Sequence, residues 1–362
     1  MAIGRKSKVR AVFTFPFMQP VSFAVIGAGF WAGYQVAAWH ELGGVELRAV
    51  CDPNRDRAEA LARRFNVPHV YTDAHELLDR HADELDFVDI ITNVETHAPL
   101  VEAVAGRGLA VICQKPMAPD GETARQMLAH CERTGVPLFI HENFRWQTPI
   151  RALKAVLDSG VIGGPFGAEV NFCSAFPVFA NQPFLAELEQ FILTDIGTHI
   201  FDVCRFLFGE AQSLYAQTQQ VNPGIRGEDV AKVLLRMQSG LTCYADLSYA
   251  SLREREAFPQ TLIRVDGAAG SVVLTYDYVL RITTRAGTET RVAPPPAYPW
   301  ADPAYALVHA SIVDCNRNLL AALRGKRPAE TTGRDNLETL RLVYAAYDSA
   351  ARNAVVQLTP SP

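Results

Sequence analysis

The chain has 362 residues, enough for about two domains of ordinary size, and at 49% hydrophobic and 20% charged its composition is that of a folded globular protein. Its 34 basic and 39 acidic residues leave a net charge of −5, which favours neither nucleic acid nor an anionic membrane as partner. No apolar run approaches the roughly 20 residues of a membrane-spanning helix.

In chain order, "MAIGRKSKVRAVFTFPFMQP" has a basic start and a short apolar patch, but Pro16 interrupts the patch and no small-residue cleavage site follows. Residues 1–17 are therefore expected to be a disordered extension, with Met18 standing just before the first strand. "VSFAVIG" reads as a buried strand, 30–42 as a helix ended by Gly43-Gly44, "VELRAVCD" as a second strand and 54–65 as a second helix. "LDFVDIIT", "LAVIC" and "VPLFIH" are further short apolar strands separated by helical segments. This alternation predicts a doubly wound parallel sheet with helices on both faces. After about residue 145 the rhythm changes. A helix over 149–158 and a strand in "PFGAEVNFCSAF" precede the helical segment "TDIGTHIFDVCRFLFG". Alternating runs at 212–221, 229–237, 241–249, 261–266 and 271–283 then predict an open, mostly antiparallel sheet. A proline-rich loop, "APPPAYPWADP", leads to closing helices near 303–324 and 334–353. The expected organisation is a nucleotide-binding domain over 18–142, an α+β domain for substrate and oligomer contacts over 143–332, and a C-terminal helix and tail over 333–362.

Seven cysteines stand singly, at 51, 113, 131, 173, 204, 243 and 315. An odd number without a CxxC pair argues against a disulfide framework and reads as reduced thiols in a cytoplasmic protein. No cluster has convincing metal spacing, and Asp195 with His199 is too small a set to hold zinc.

Two groups of residues carry chemistry. Gly27-x-Gly29-x-x-Ala32 follows a strand and opens a helix. Gly27 permits the tight turn, Gly29 lets backbone approach a pyrophosphate, and Ala32 lets helix and strand pack closely. Asp52 closes the next strand, where a carboxylate accepts hydrogen bonds from ribose hydroxyls and repels a 2′-phosphate, favouring NAD over NADP. The loop residues Ala28, Phe30 and Trp31, with Thr92, Asn93 and His97 in "TNVETH" and Gln114 and Lys115 in "CQKP", complete the expected cofactor contacts. The second group is in "TDIGTHIFDVCRFLFG". Read as one regular helix, it places Asp195, His199 and Asp202 on one stripe, with an apolar stripe of Ile196, Ile200, Val203 and Leu207 to dock it.

With "GAGFWA", Asp52, "TNVETH", "CQKP", "HENFRWQTPI" and "DIGTHIFDVCRFLFG" in this order, the chain resembles the glucose–fructose oxidoreductase / inositol dehydrogenase / MocA family over about residues 18–355. The resemblance implies a Rossmann domain followed by a C-terminal α/β domain whose open sheet makes oligomer contacts, hence a homodimer or homotetramer. It also implies NAD(P)-dependent oxidation or reduction of sugars, inositols and related polyols. The family's Glu-Lys-Pro motif falls on Gln114-Lys115-Pro116, so the lysine is kept and the acid before it has become an amide. The family's aspartate and histidine fall on Asp195 and His199.

The implied chemistry is hydride transfer from a sugar CH–OH carbon to nicotinamide C4. His199 is the general base because an unperturbed imidazole titrates near about 6.5, Lys115 polarises the reacting oxygen, and Asp195 binds a hydroxyl or orients the imidazole. Lys115 as proton acceptor is the rival assignment. Asn143, Arg145 and Trp146 are expected to reach the sugar, with a structural ion pair as the alternative for Arg145, while Asp202 is assigned a supporting place. Phe176, Phe179 and Phe184 are assigned to packing of a lid or subunit contact, with stacking on a sugar ring as the alternative, and Arg253 and Arg255 to solvent. Two other readings use the same fold: a glycosidase that oxidises its substrate transiently with held NAD, and a non-catalytic NAD(P)-sensing regulator.

Overall fold

The computed structural model describes residues 19–358, so the expected extension at 1–17 lies outside the described residues. The chain begins with β1 (Val21–Ile26), α1 (Ala32–Leu42), β2 (Val45–Cys51), α2 (Arg55–Phe65), β3 (His69–Tyr71), α3 (Ala74–His81), β4 (Phe87–Ile90), α4 (His97–Ala105), β5 (Ala110–Gln114), α5 (Gly121–Thr134) and β6 (Leu138–His141). These six strands form one parallel sheet in the order β3-β2-β1-β4-β5-β6. Its central strands β4 and β5 are buried throughout, which is why they read as apolar runs rather than alternating ones. The helices are delimited by local chemistry. Asn54 caps α2 by accepting from the Arg57 N–H, Asp120 caps α5 by accepting from the Thr123 N–H, and Gly135 ends α5 at φ +73°.

The strand order reverses between β1 and β4, which opens a crevice at the carboxyl edge of the sheet. The loops after β1, β4, β5 and β6 all end at this edge. They deliver Gly29, Asn93, Lys115 and Glu142 to one place.

The second half comprises α6 (Thr148–Asp158), β7 (Pro165–Cys173), α7 (Val178–Asn181), α8 (Thr198–Phe208), β8 (Ala211–Gln219), β9 (Val230–Met237), β10 (Thr242–Ser248), β11 (Leu262–Gly267), β12 (Gly270–Thr275), β13 (Val279–Thr284), β14 (Gly287–Val292), α9 (Ala306–Leu323), α10 (Gly333–Arg352) and β15 (Val356–Gln357). Its nine strands run β14-β13-β12-β11-β7-β10-β9-β8-β15, antiparallel except for the β7–β10 pair. The fold class read from the sequence is therefore the observed one.

Particular elements depart from expectation. The run 271–283 is two strands, because Asp277 and Tyr278 take positive φ values of 58° and 61° and turn the chain between β12 and β13. The short β3 and the fully solvent-facing β14 carry too little hydrophobic pattern to read as strands. The segment assigned to the second domain also contains α9, which packs back on α1. Cys315, Leu319 and Leu320 of α9 join the core around Phe23 and Trp39, while Val308 joins the core of the second half. α10 likewise places Leu340 in the core beside β4 and β5 and Leu342, Val343 and Ala346 in the other.

Candidate active site

Lys115 is the first residue after β5. Its backbone N–H donates to the Gln114 side-chain oxygen at 3.0 Å, and a cis Lys115–Pro116 peptide follows. Behind it, the buried His97 ring lies 3.0 Å from the Pro116 carbonyl through Nδ1 and 3.1 Å from the Thr92 carbonyl through Nε2, tying two edge loops together. The ammonium of Lys115 donates to the Asp195 carboxylate and to the Asp195 carbonyl, each at 3.0 Å.

That carbonyl is available because the helix is irregular. Leu193–Gly197 form a π turn before α8 begins, an insertion that recurs at functional sites. The Glu228 carboxylate accepts from the Phe191 and Leu193 N–H groups at 3.2 Å and so holds the start of this turn in place. The single polar stripe of a regular helix is therefore split. Asp195 and His199 line a cavity of about 890 Å³ together with Lys115, whereas Asp202 is turned away and fully buried.

His199 is almost fully buried, and its Nδ1 lies 2.5 Å from the Glu142 Oε1. The Phe144 ring stacks on the imidazole at 3.9 Å and 9°, fixing its plane. Asp195 does not orient the imidazole. Its second oxygen accepts from the Tyr249 hydroxyl at 3.4 Å, and its first is taken by Lys115. Burial, reinforced by the Lys115 charge, holds His199 well below the ordinary imidazole value, with Asp195 and Asp202 opposing. Burial pushes the Glu142 carboxyl up to about 7, against Lys115 and Arg145.

The other sequence candidates divide in two. Gly29, Phe30, Trp31, Thr92, Asn93, Gln114, Asn143, Phe176 and Phe184 line the same cavity. Gly27, Ala28, Asp52, His97, Arg145, Trp146 and Phe179 are not on its wall. Arg145 takes the structural alternative: it pairs with Asp202, donates from Nη2 to Asp335 at 2.9 Å and bonds the Glu330 carbonyl. Trp146 is covered by the Arg151 guanidinium at 3.6 Å, and Phe179 packs on Phe191. Asn143 reaches the wall while its amide donates to Ser311 at 2.8 Å. Arg253 and Arg255 are exposed, and Arg255 pairs with Asp277.

The glycine loop can be tested for fit to a dinucleotide. At Gly27, φ is +103° and an added Cβ would lie 2.1 Å from the Ile91 carbonyl oxygen, so this glycine serves the turn. At Gly29 an added Cβ would meet nothing within 4 Å, so the space a phosphate needs is open. Asp52 closes β2 as expected, but its oxygens accept from the Ala28 and Asn54 N–H groups, each at 2.8 Å. In this structure its carboxylate braces the loop. The cradle fits a dinucleotide.

Comparison with known proteins agrees with this geometry. Residues 21–142 match the oxidoreductase family with an NAD-binding Rossmann fold, and residues 150–273 match the GFO/IDH/MocA C-terminal domain. The chain belongs to the GFO/IDH/MocA oxidoreductase family. Within it, the chain is 48% identical to a D-apiose dehydrogenase of Paraburkholderia graminis over 92% of its own length and 89% of that protein. It is 42% identical to a D-apiose dehydrogenase of Rhizobium rhizogenes over 94% and 98% of the two chains. A crystal structure of an Agrobacterium radiobacter oxidoreductase in complex with NAD+, L-tartaric acid and magnesium superposes with a TM-score of 0.92 at 41% identity, covering 94% of this chain and 98% of that one. As a member of this family the protein is an NAD-dependent oxidoreductase acting on the CH–OH group of a sugar or polyol.

One participant is absent from the sequence reading. Glu142 sits in the quoted "HENFRW", but nothing in its spacing linked it to His199, 57 residues away. The remaining signal was weak: an acid directly after the buried apolar strand β6.

Proposed function

We propose that the protein oxidises a small neutral aldose of the D-apiose kind at its anomeric CH–OH, giving the lactone. The observation that carries this is the common cavity: the Lys115 ammonium, the His199 imidazole and the Asp195 carboxylate share one wall with Gly29, Phe30 and Trp31. The two relatives named for D-apiose support the substrate class. Charge supports it too, because among the described lining residues Lys115 is accompanied by Glu95, Glu189 and Asp195, which disfavours a phosphorylated sugar.

The dinucleotide would be held by Gly29, Phe30, Trp31, Thr92, Asn93 and Gln114, and when bound it supplies the hydride acceptor. Lys115 is fixed by two acceptors from Asp195, so it serves as a positive hydrogen-bond donor to the reacting oxygen. His199 receives the hydroxyl proton at Nε2, since its Nδ1 faces Glu142. The Asp52 carboxylate beside the loop favours NAD over a 2′-phosphorylated cofactor. The test is NADH fluorescence over a panel of aldoses and polyols with NAD and NADP in parallel. Formation of NADH with D-apiose or another small aldose is expected, and no signal with any sugar would overturn the reading.

The assembly we propose is a homo-oligomer through the outer face of the second sheet. Tyr215, Leu234 and Tyr244 sit opposite one another across β8, β9 and β10 there, with Leu234 47% and Tyr244 37% exposed. Its place in the cell is proposed to be the cytoplasm, which the seven free buried thiols favour.

A further inference from the structure

A lone imidazole at position 199 would be a poor proton acceptor. It is stacked under Phe144, which fixes its plane, and it is nearly sealed from solvent and faced by the Lys115 cation; the burial and the cation both disfavour an imidazolium. The contact that changes this is on its far side. Glu142 is fully buried directly after β6. Its Oε1 lies 2.5 Å from His199 Nδ1 and accepts the Phe144 N–H at 3.2 Å. Its Oε2 is buried without a hydrogen-bond partner among the described residues. A carboxylate oxygen left bare in the interior is costly when charged and far less so when the group is protonated.

We infer that Glu142 and His199 act as one proton acceptor, with the substrate proton entering at His199 Nε2 while the Nδ1 proton passes to Glu142 Oε1. The inference rests on the proposed oxidation of an aldose. The substrate O–H bond breaks and an N–H bond forms at Nε2, while the Nδ1–H bond breaks and an O–H bond forms on Glu142. The imidazole exchanges one neutral tautomer for the other and never carries net charge. The pair moves from −1 to neutral, and the proton later leaves to solvent. Glu142 touches no substrate and is a positioning residue that also stores the proton.

The groups facing the pair are consistent with a titration near neutrality. Lys115 from the end of β5 and Arg145 from the turn after β6 draw the carboxyl down, and burial outweighs them. Asp195 from the π turn and Asp202 from α8 act on His199 in the opposite sense to Lys115, His141 of β6 stays neutral through its own burial, and Cys315 of α9 donates to the Glu142 carbonyl. Because the acceptor is the ionised pair, oxidation requires it deprotonated. The rate therefore falls as pH drops through about 7, the value to which Glu142 is raised.

The test compares wild type with E142Q, whose amide oxygen still accepts the Nδ1–H but cannot take its proton. In the cofactor-free wild-type protein, NMR of labelled glutamate and histidine is expected to show Glu142 and His199 responding in one shared step near neutral pH. In E142Q the histidine response leaves that range. With cofactor and aldose, E142Q is expected to lose about 10–100-fold in kcat with little change in KM, and its acid limb moves to lower pH. A rate loss with the limb unmoved, or a histidine signal indifferent to E142Q, would overturn the relay. If E142Q does not fold, wild type still decides, because independent titration of the two residues overturns it. Absence of NADH formation by wild type would instead sink the aldose reading and leave the NMR result standing.

Discussion

Asp195 and Asp202 lie 7 residues apart on either side of the junction between the π turn and α8, and they are used in opposite ways. Asp195 is partly accessible, bonds Lys115 and Tyr249, and ends in the cavity. Asp202 is fully buried and closed off by Arg145, itself shared with Asp335, which also pairs with Arg205. Both are acids paired with bases. The difference lies in what remains open: the first set faces a space where a ligand can add contacts, and the second satisfies itself. The glycine loop repeats the contrast, with Gly27 pressed on Ile91 and Gly29 facing open space. Opposite charges alone therefore do not mark a site.

Substitutions separate the two kinds of environment. The largest effect is expected at the open set. His199→Ala or Lys115→Ala should lower kcat by about 10²–10⁴-fold while NADH binding, followed by fluorescence, is kept. If Asp202→Ala behaved the same way, with the fold intact, the contrast would fail.

At the closed set, Arg145→Ala strands the buried Asp202 and should cost about 3–5 kcal/mol of stability in urea unfolding, while Asp202→Ala, which leaves Arg145 its Asp335 partner, should cost less. The double change Arg145→Met with Asp202→Leu should recover most of that loss.

Asp89 is another buried acid, held by the neutral donors Gln35 and Trp39, and burial raises it to about 7. The folded state thus keeps a proton that the unfolded chain releases near about pH 4. The Asp89 contribution to stability should fall as pH rises from about 4 to about 7, by at most roughly 4 kcal/mol, and stay low above that. Asp89→Asn should remove that share of the slope in denaturation measured at several pH values, leaving the share of Glu142 and Asp202, which burial also raises.

The smallest effect belongs to Gly29→Ala. Its Tm should barely move, within about 0.5 kcal/mol in stability, while the KM for NAD rises. Gly27→Ala should instead lower the Tm clearly, because its conformation and the Ile91 carbonyl both refuse a methyl group.

The sequence displayed the parallel sheet, the glycine loop, Lys115 and the Asp195–His199 pair because each depends on local pattern: buried apolar runs, a turn between strand and helix, a four-residue spacing. It misled where helical regularity was assumed. One added π turn separated Asp202 from the stripe, and no periodicity rule signals such an insertion in advance. Arg145 could be read as sugar-binding or structural because its partners, Asp202 and Asp335, come from 57 and 190 residues away. Glu142 is illegible for the same reason, since its meaning depends on a helix that arrives much later in the chain.

The closing helices α9 and α10 each contribute side chains to the interiors of both halves. The same helices also line the cavity, through Val308 and His309 of α9 and Leu340 and Tyr344 of α10. Neither half can shed these helices and keep its own interior, so heating should melt both halves in a single cooperative step.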